Sequence, residues 1–235
     1  MLTEFDTNNT SYAWNLPFGF HARFGGPALA LDDPDVRNRW LRSSAHAPEL
    51  WVMPKQQHGA VVLTDFSINN RLENFSDGFA TSNTDIGLGV FGSDCPAIAL
   101  LTPCGFGIVH CGWRGFAGGV VDNLTTAVSS VSSLKPSEMS AFIGPGICRR
   151  CYEVDTAVIN SCQWPASSFS PLRNGHSHLD LAEAIQQRLL ALGVTRVVKS
   201  DVCTAHAQNL HSRRHQGPGI VQVFALHYSL GRLRS

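Results

Sequence analysis

Two apolar runs near the middle of the chain, Ala97–Leu101 and Phe106–Val109, are separated only by Thr102–Gly105. Proline and glycine in so short a connection predict strand, turn and strand, which together form a β-hairpin. Cys95 lies just before the first run, and His110 directly follows the second. The hairpin therefore brings two potential metal ligands to the same end of a pair of strands.

The register of this hairpin decides whether Cys95 and His110 can bind one metal ion. A turn centred between Thr102 and Pro103 would set the two side chains directly opposite, with Cβ atoms about 5 Å apart. A turn centred one residue later would make them diagonal neighbours on one face, about 7 Å apart. A slip of a single residue would put them on opposite faces. The sequence thus predicts proximity and leaves the orientation open.

Charge and cysteine content restrict the class of protein. The 18 Lys and Arg residues balance 18 Asp and Glu, and the isoelectric point is near 7.1, so neither nucleic acid nor a membrane is the expected partner. A small molecule is expected instead. The chain start has no basic segment followed by an apolar run, and no window approaches about 18 consecutive apolar residues. Together with seven cysteines, an odd number typical of reduced thiols, this predicts a cytoplasmic protein.

Predicted strands outnumber helices, and short turns join many of them. Helices are expected after the Asp33-Pro34 pair, over the apolar stripe from Val120 to Val131, and from Leu181 to a stop at Gly193. This pattern is typical of an α+β fold with largely antiparallel strands. No change in composition marks a boundary, so residues 1–235 are expected to form one domain.

Two motifs elsewhere in the chain carry little functional information. Gly87–Gly92 matches G-x-G-x-x-G, but Ser93–Pro96 and an apolar strand follow it where a nucleotide-binding loop requires a helix. We interpret it as a glycine-bearing strand. Cys148 and Cys151 form a C-x-x-C motif without a second pair at zinc-ribbon spacing, so the motif alone does not predict a metal site.

His58, Cys95 and His110 each lie at the end of an apolar run and near a glycine or proline. Three protein ligands with a fourth position left open are typical of a catalytic zinc site, where the ion polarises a substrate oxygen or nitrogen. Asp94 could act as an acid or base, or could orient a ligand histidine. Arg114 could hold an anionic group through a forked hydrogen bond.

Ordinary structural roles are the alternative for each of these residues. Cys95 can be a small buried residue, and His110 can be a core histidine with satisfied hydrogen bonds. Asp94 can simply cap a turn, and Arg114 can be a solvated surface charge. Spacing alone does not decide between the two interpretations.

The motifs of the chain resemble those of the multicopper polyphenol oxidase (laccase-domain) family, also called purine nucleoside phosphorylases or peptidoglycan editing factors. In chain order these motifs are Gln56-Gln57-His58-Gly59 (QxHG), Asp94-Cys95, His110-Cys111-Gly112-Trp113-Arg114-Gly115 (HxGWRG), Gly144-Pro145-Gly146-Ile147 with Tyr152-Glu153-Val154, and Leu179-Asp180-Leu181. The match runs from Arg23, in a TRxGG-like block, to Arg214. It therefore covers most of the chain.

The resemblance implies a fold, a metal and an activity. The implied fold is a β-sandwich-like core flanked by helices. The implied metal is zinc, with copper as the other choice, bound by His58, Cys95 and His110. The implied activity is phosphorolysis of adenosine and inosine, with adenosine deamination also attached to the family. Within this motif set the candidate catalytic residues are Asp94, Cys95 and Arg114, and the candidate substrate contacts are Arg23, Gln56, Trp113, Arg213 and Arg214.

The leading hypothesis is a metal-dependent purine nucleoside enzyme whose partners are a nucleoside and phosphate. Copper-dependent phenol oxidation is a second class, but a trinuclear copper cluster needs several His-x-His pairs, and the chain has one, at His176 and His178. Amide hydrolysis of peptidoglycan precursors with Cys95 as nucleophile is a third. A structural zinc domain is the non-enzymatic alternative and would be expected to use four protein ligands.

Overall fold

The computed structural model describes residues 3–5, 11–26, 29–44, 46–64 and 75–229 of the chain. Its strands are β1 (Thr3–Phe5), β2 (Ser11–Asn15), β3 (Phe20–Gly25), β4 (Leu50–Val52), β5 (Val62–Thr64), β6 (Gly78–Thr81), β7 (Ile86–Gly92), β8 (Ala97–Thr102), β9 (Gly105–His110), β10 (Ser140–Ile143), β11 (Glu153–Val154), β12 (Phe169–Pro171), β13 (Ser177–Leu179), β14 (Arg196–Lys199) and β15 (Gln222–Tyr228). Its α-helices are α1 (Pro34–Arg42), α2 (Trp113–Ala117), α3 (Val120–Ser132), α4 (Thr156–Ile159), α5 (Leu181–Ala191) and α6 (Arg213–Gln216).

The strands form two large sheets and one small one. The first sheet has the order β1-β2-β3-β15-β7-β4, the second β14-β10-β8-β9-β6-β5, and the third β11-β13-β12. Within the described residues, only the pairs β4–β7, β5–β6 and β10–β14 run parallel. The mixed, largely antiparallel α+β architecture predicted from the sequence is confirmed.

The first and second sheets pack face to face around a sheet core, which contains Phe24 and Phe224 from the first sheet and Leu101 and Ile108 from the second. The opposite face of the second sheet forms a helix core with α3 and α5. On the outer face of the first sheet, α1 packs Trp40 and its neighbours against β15. The result is the predicted sandwich-like core flanked by helices.

Local sequence signals place the main helices correctly. The Asp33 side chain accepts hydrogen bonds from the first backbone N–H groups of α1, as an N-cap does. The predicted apolar stripe forms α3, and α5 ends before Gly193, whose φ of 94° is in the left-handed region that favours glycine. Gly87–Gly92 lies in β7, as predicted. A side chain at Gly87 would clash with the indole ring of Trp51, at 2.5 Å.

The hairpin β8–β9 has the second of the two registers considered. Its pairs run from Ala97 opposite His110 to Thr102 opposite Gly105, so the turn is centred one residue later than direct opposition of Cys95 and His110 requires. Cys95 lies two residues before Ala97 and is therefore the diagonal neighbour of His110 on the same face. Direct opposition is thus wrong, and the observed register is the one in which the sequence predicts a shared face.

Among the described residues, no helix has both the length and the apolar character needed to cross a bilayer.

Two histidines face each other across the pair β3–β15. His21 is opposite His227, with ring centres 5.4 Å apart, and His227 is almost fully buried. Burial lowers the pKa of both rings, helped by the charge of Arg23, and the neighbouring His227 lowers the pKa of His21 further, to about 4. Protonation of this pair therefore opposes folding.

Acid should destabilise the protein through this pair. The unfolded chain binds a proton at His21 near the usual pKa of 6.5, whereas the folded chain binds it near 4, so stability present above pH 6.5 is lost as the pH falls towards 4. We expect the urea midpoint to fall across this window and to fall less for His21→Gln. His178→Gln, in the small third sheet, is the control. An equal pH dependence in wild type and His21→Gln would contradict this assignment.

Candidate metal centre

His58, Cys95 and His110 converge at one end of the second sheet. His110 is the last residue of β9, and Cys95 lies in the turn that enters β8. His58 lies in the loop between β4 and β5, in the left-handed backbone region with φ of 58°. A non-glycine residue in this region is uncommon and requires support from its surroundings. The three predicted ligands are therefore brought together from separate segments.

The potential ligand atoms of these three residues all lie within 4.8 Å of one another. The imidazole rings of His58 and His110 are 4.7 Å apart between centres and nearly perpendicular, at 80°. Gly112 leaves room for the Cys95 thiol beside the two rings, since a Cβ atom at position 112 would lie 3.0 Å from Cys95 Sγ. His110 is buried, Cys95 is half-buried and His58 is exposed. One side of the group consequently faces solvent, where a substrate can approach.

Asp77 orients the buried histidine. His110 Nδ1 donates to Asp77 Oδ1 at 3.2 Å, which leaves Nε2 as the ring nitrogen that can bind a metal ion. The backbone N–H of Gly59 donates to Asp77 Oδ2 at 2.7 Å and ties the His58 loop to the same carboxylate. A carboxylate behind a ligand histidine fixes its tautomer and ring orientation. Sequence reasoning missed this residue, because Ser76-Asp77-Gly78 has only the composition of a turn.

The charges around the group shift the pKa values of its two histidines in opposite directions. Burial lowers the pKa of His110, but hydrogen bonds with Asp77 and Cys95 and their charges outweigh burial and raise it to about 9. Burial and the positive charges of His110, Arg114 and Arg213 lower the pKa of His58, whose ring is therefore neutral at pH 7. Negative charge from Asp77 and Cys95 therefore lies beside His110, whereas positive charge lies on the His58 side of the group.

The residues present fit a transition-metal ion. Two imidazoles and one thiolate are donors that suit zinc and also copper. Oxygen-rich sites for magnesium or calcium use carboxylates and carbonyls, which are not the donors here. With three ligands from the protein, a fourth coordination position is left for a substrate atom or water.

The Asp94 carboxylate accepts hydrogen bonds from Thr204 and Arg214, and the predicted role of orienting a ligand histidine falls to Asp77. Its Oδ1 accepts from the Thr204 hydroxyl at 2.7 Å, and its Oδ2 accepts from the backbone N–H of Arg214 at 2.8 Å. The hydrogen bond to the ligand histidine belongs to Asp77 instead. Asp94 therefore anchors the loop that carries Thr204 and the start of α6 beside Cys95.

Arginines and aromatic rings surround the exposed side of the three-ligand group. Arg114 is exposed and lies over the ring of Trp113, 4.2 Å from its centre. The positive charges of Arg114 and Arg213 both lower the pKa of His58. Arg214 lies over the Tyr152 ring at 5.2 Å and donates to the carbonyl of Glu153. The predicted residues Trp113, Arg114, Arg213 and Arg214 therefore share one region.

Tyr152 is a further residue of this region. Its side chain is largely buried, and burial together with the charges of Cys95 and Asp94 raises its pKa to about 12, against the opposing effect of Arg214 and Arg114. The hydroxyl therefore keeps its proton at neutral pH. Its place in the Tyr152-Glu153-Val154 motif was the only sequence signal for it.

Two predicted substrate contacts lie in other surroundings. The guanidinium of Arg23 donates to the carbonyl of Trp40 and the hydroxyl of Ser43, against α1. The amide of Gln56 donates to the carbonyl of Phe91 and accepts from its N–H. The structure does not bring Arg23 into the arginine group, and Gln56 is engaged in fixing the His58 loop against β7.

Comparisons with known proteins show which family and which relatives the chain is similar to. A family described as multi-copper polyphenol oxidoreductase laccase matches residues 32–222. The purine nucleoside phosphorylase YlmD of Geobacillus stearothermophilus is 32% identical over 208 residues, covering 79% of this chain and 76% of that protein. A purine nucleoside phosphorylase of Streptomyces coelicolor is 27% identical over 238 residues, covering 91% and 94%.

A solved structure has the same fold. The crystal structure of YlmD from Geobacillus stearothermophilus superposes with a TM-score of 0.83, covering 94% of this chain and 97% of that chain at 24% identity. The sandwich architecture described above is therefore an architecture already known from experiment.

Asp77→Asn tests the orienting role of Asp77. The amide cannot replace a charged acceptor for both His110 and Gly59, so we expect zinc affinity to fall about 10- to 100-fold. Competition with a chromophoric chelator measures the affinity, with the binding that persists in Cys95→Ala protein subtracted. Asp35→Asn, in the exposed first turn of α1, is the matched control and should bind as wild type does. Unchanged affinity in Asp77→Asn would refute the role.

Proposed function

The chain belongs to the multi-copper polyphenol oxidoreductase laccase family, and from that premise we propose that it is a metal-dependent phosphorylase of purine nucleosides such as adenosine and inosine. The names of its relatives support this substrate class. The observation that carries the proposal is the group of His58, Cys95 and His110 with arginine charges on its open side. Phosphate and a neutral nucleoside fit that combination of charges.

In phosphorolysis, a phosphate oxygen attacks the anomeric carbon of the ribose while the bond from that carbon to the base nitrogen breaks. Arg114 and Arg213 are the proposed phosphate ligands, because guanidinium groups bind phosphate through paired charge-assisted hydrogen bonds. The stacking of Arg114 on Trp113 fixes the direction of the guanidinium. Arg214 is held by Asp94 and Glu153 at the same side and adds positive charge.

The leaving base takes up negative charge as the glycosidic bond breaks. The Tyr152 hydroxyl keeps its proton, with its pKa raised to about 12 by burial and by nearby negative charge, so it can donate a hydrogen bond to that base. Zinc or copper bound by His58, Cys95 and His110 would supply Lewis acidity that polarises a substrate oxygen or nitrogen. Asp77 keeps the His110 ring in position throughout.

Adenosine deamination is a second candidate, favoured by the open three-ligand arrangement with Asp94 adjacent to Cys95. There a water oxygen adds to the purine carbon that bears the amino group, and ammonia leaves. Asp94 is the proposed carrier of the proton between them. Because water replaces phosphate as the reactant, the two activities give different products from one substrate.

The two other classes have less support from the site. In the described residues, His176 of the single His-x-His pair contacts the Glu153 carboxylate, and neither member of the pair joins the three-ligand group. Cys95 is a member of that group, and a thiolate bound to a metal is a poor free nucleophile for amide hydrolysis. Metal content and substrate therefore separate all these functions.

Product analysis tests the proposal. Metal-quantified protein is incubated with adenosine, with and without phosphate, and the products are separated by chromatography. We expect adenine and ribose 1-phosphate only when phosphate is present, whereas inosine would report deamination. Cys95→Ala should lose this turnover and the metal of the three-ligand site. No turnover of adenosine by wild-type protein, or full turnover by Cys95→Ala, would overturn the proposal.

Arg114→Gln separates phosphate binding from the metal. Loss of one charge-assisted contact, worth about 1.5 to 3 kcal/mol, should lower kcat/KM for phosphate about 10- to 100-fold and leave the metal content unchanged. Arg39→Gln, on the exposed surface of α1, is the matched control. Equal values for Arg114→Gln and wild type would remove Arg114 from the phosphate site.

A further inference from the structure

Cys148, Cys151, Cys203 and His206 form a second group of potential metal ligands, distinct from the three-ligand site. Their ligand atoms also lie within 4.8 Å of one another. The C-x-x-C motif, uninformative by itself in the sequence, thus meets a C-x-x-H motif 52 residues further along the chain, as counted from Cys151 to Cys203. We propose that these four residues bind a zinc ion in a closed, structural site.

The parallel pairing of β10 and β14 explains how the two motifs meet. Ser140–Ile143 pairs in register with Arg196–Lys199, so the segments that follow the two strands leave the sheet at the same end. The pairing continues beyond the strands as an isolated parallel bridge between Gly146 and Cys203. The segments carrying the two motifs therefore run side by side, and the four ligands face each other across them.

The donor set is that of a structural zinc site. Three cysteines and one histidine in four-coordinate geometry bind zinc with all positions filled by protein. Zinc–sulfur bonds of about 2.3 Å in a regular tetrahedron place sulfur atoms about 3.8 Å apart. The separations of up to 4.8 Å need only a contraction of about 1 Å to reach that geometry. Thiolates and imidazole are soft ligands, which favours zinc over magnesium or calcium.

Two of the sulfur atoms in this group lie within hydrogen-bonding distance of nitrogen atoms. The backbone N–H of Cys148 donates to Cys203 Sγ at 3.3 Å, and Cys151 Sγ is 3.1 Å from His206 Nε2. Donors directed at sulfur favour the thiolate, which is the form that binds metal.

The second group supports one wall of the three-ligand site. Thr204, between Cys203 and His206, donates to Asp94 Oδ1, and the backbone N–H of Ile147 donates to the Asp94 carbonyl at 2.9 Å. Asp94 is the neighbour of Cys95 in the chain. Tyr152 directly follows Cys151. A metal ion that joins the two loops would therefore fix Asp94 and Tyr152 without contacting the substrate.

Zinc content per chain tests the proposal independently of any catalytic activity. Protein is purified under reducing conditions, freed of loose metal by gel filtration and measured by elemental analysis. We expect Cys95→Ala to keep about one zinc equivalent, and Cys95→Ala combined with Cys148→Ser and Cys151→Ser to keep none. Cys162→Ser in the Cys95→Ala background, which removes a half-buried thiol outside both groups, is the control and should keep the zinc. Cys95→Ala without zinc, or a triple variant that retains it, would overturn the proposal.

A second measurement covers the case in which the triple variant fails to fold. Cobalt added to metal-free Cys95→Ala protein should give an intense thiolate-to-metal absorption band, and His206→Gln should shift this band. Intact mass gives the competing outcome, because a disulfide within the group lowers the mass by two hydrogens. Absence of the cobalt band, or such a disulfide in protein purified under reducing conditions, would overturn the proposal.

Discussion

The hairpin β8–β9 is buried on both faces, and the rest of the site is built around it. Every residue of β8 and β9 is buried, because alternate side chains enter the sheet core and the helix core. Ala99 and Leu101 face the sheet core, and Ile98 and Leu100 face the helix core. Cys95 and His110 lie at the open end of the hairpin, beyond the apolar positions of the two strands. The double burial also fixes the register, since a slip of one residue would exchange the two faces.

Asp77 links the buried hairpin to the exposed loop. It lies just before β6, the neighbour of β9, and the backbone N–H of His110 donates to its carbonyl. Its side chain then reaches both His110 and the loop of His58. A carboxylate buried this deeply requires several donors, and here they come from the segments that carry two of the ligands. The hydrogen bonds that satisfy the Asp77 carboxylate therefore also hold His110 and the His58 loop in place.

Local signals in the sequence predicted local structure well. The Asp33-Pro34 start, the α3 stripe and the Gly193 stop depend on neighbours within a few residues, and all three were confirmed. Contacts between distant segments were harder to predict. The hairpin register depended on which turn residues pair, and Asp77 acts on a histidine 33 residues away. Cys203 and His206 meet the C-x-x-C motif only because β10 and β14 run parallel.

The two ligand groups differ in the number of ligands that the chain supplies, three in one and four in the other. The difference follows from the topology of the strands that precede them. The three-ligand group lies at the end of an antiparallel hairpin, where the chain turns away and one side stays open. The second group lies where two parallel strands leave the sheet together, so each segment can contribute two ligands. Hydrogen bonds from Thr204 and Ile147 to Asp94 connect the two groups. The geometry around Cys95 therefore depends on how β10 and β14 exit the sheet, although neither strand carries one of the three ligands.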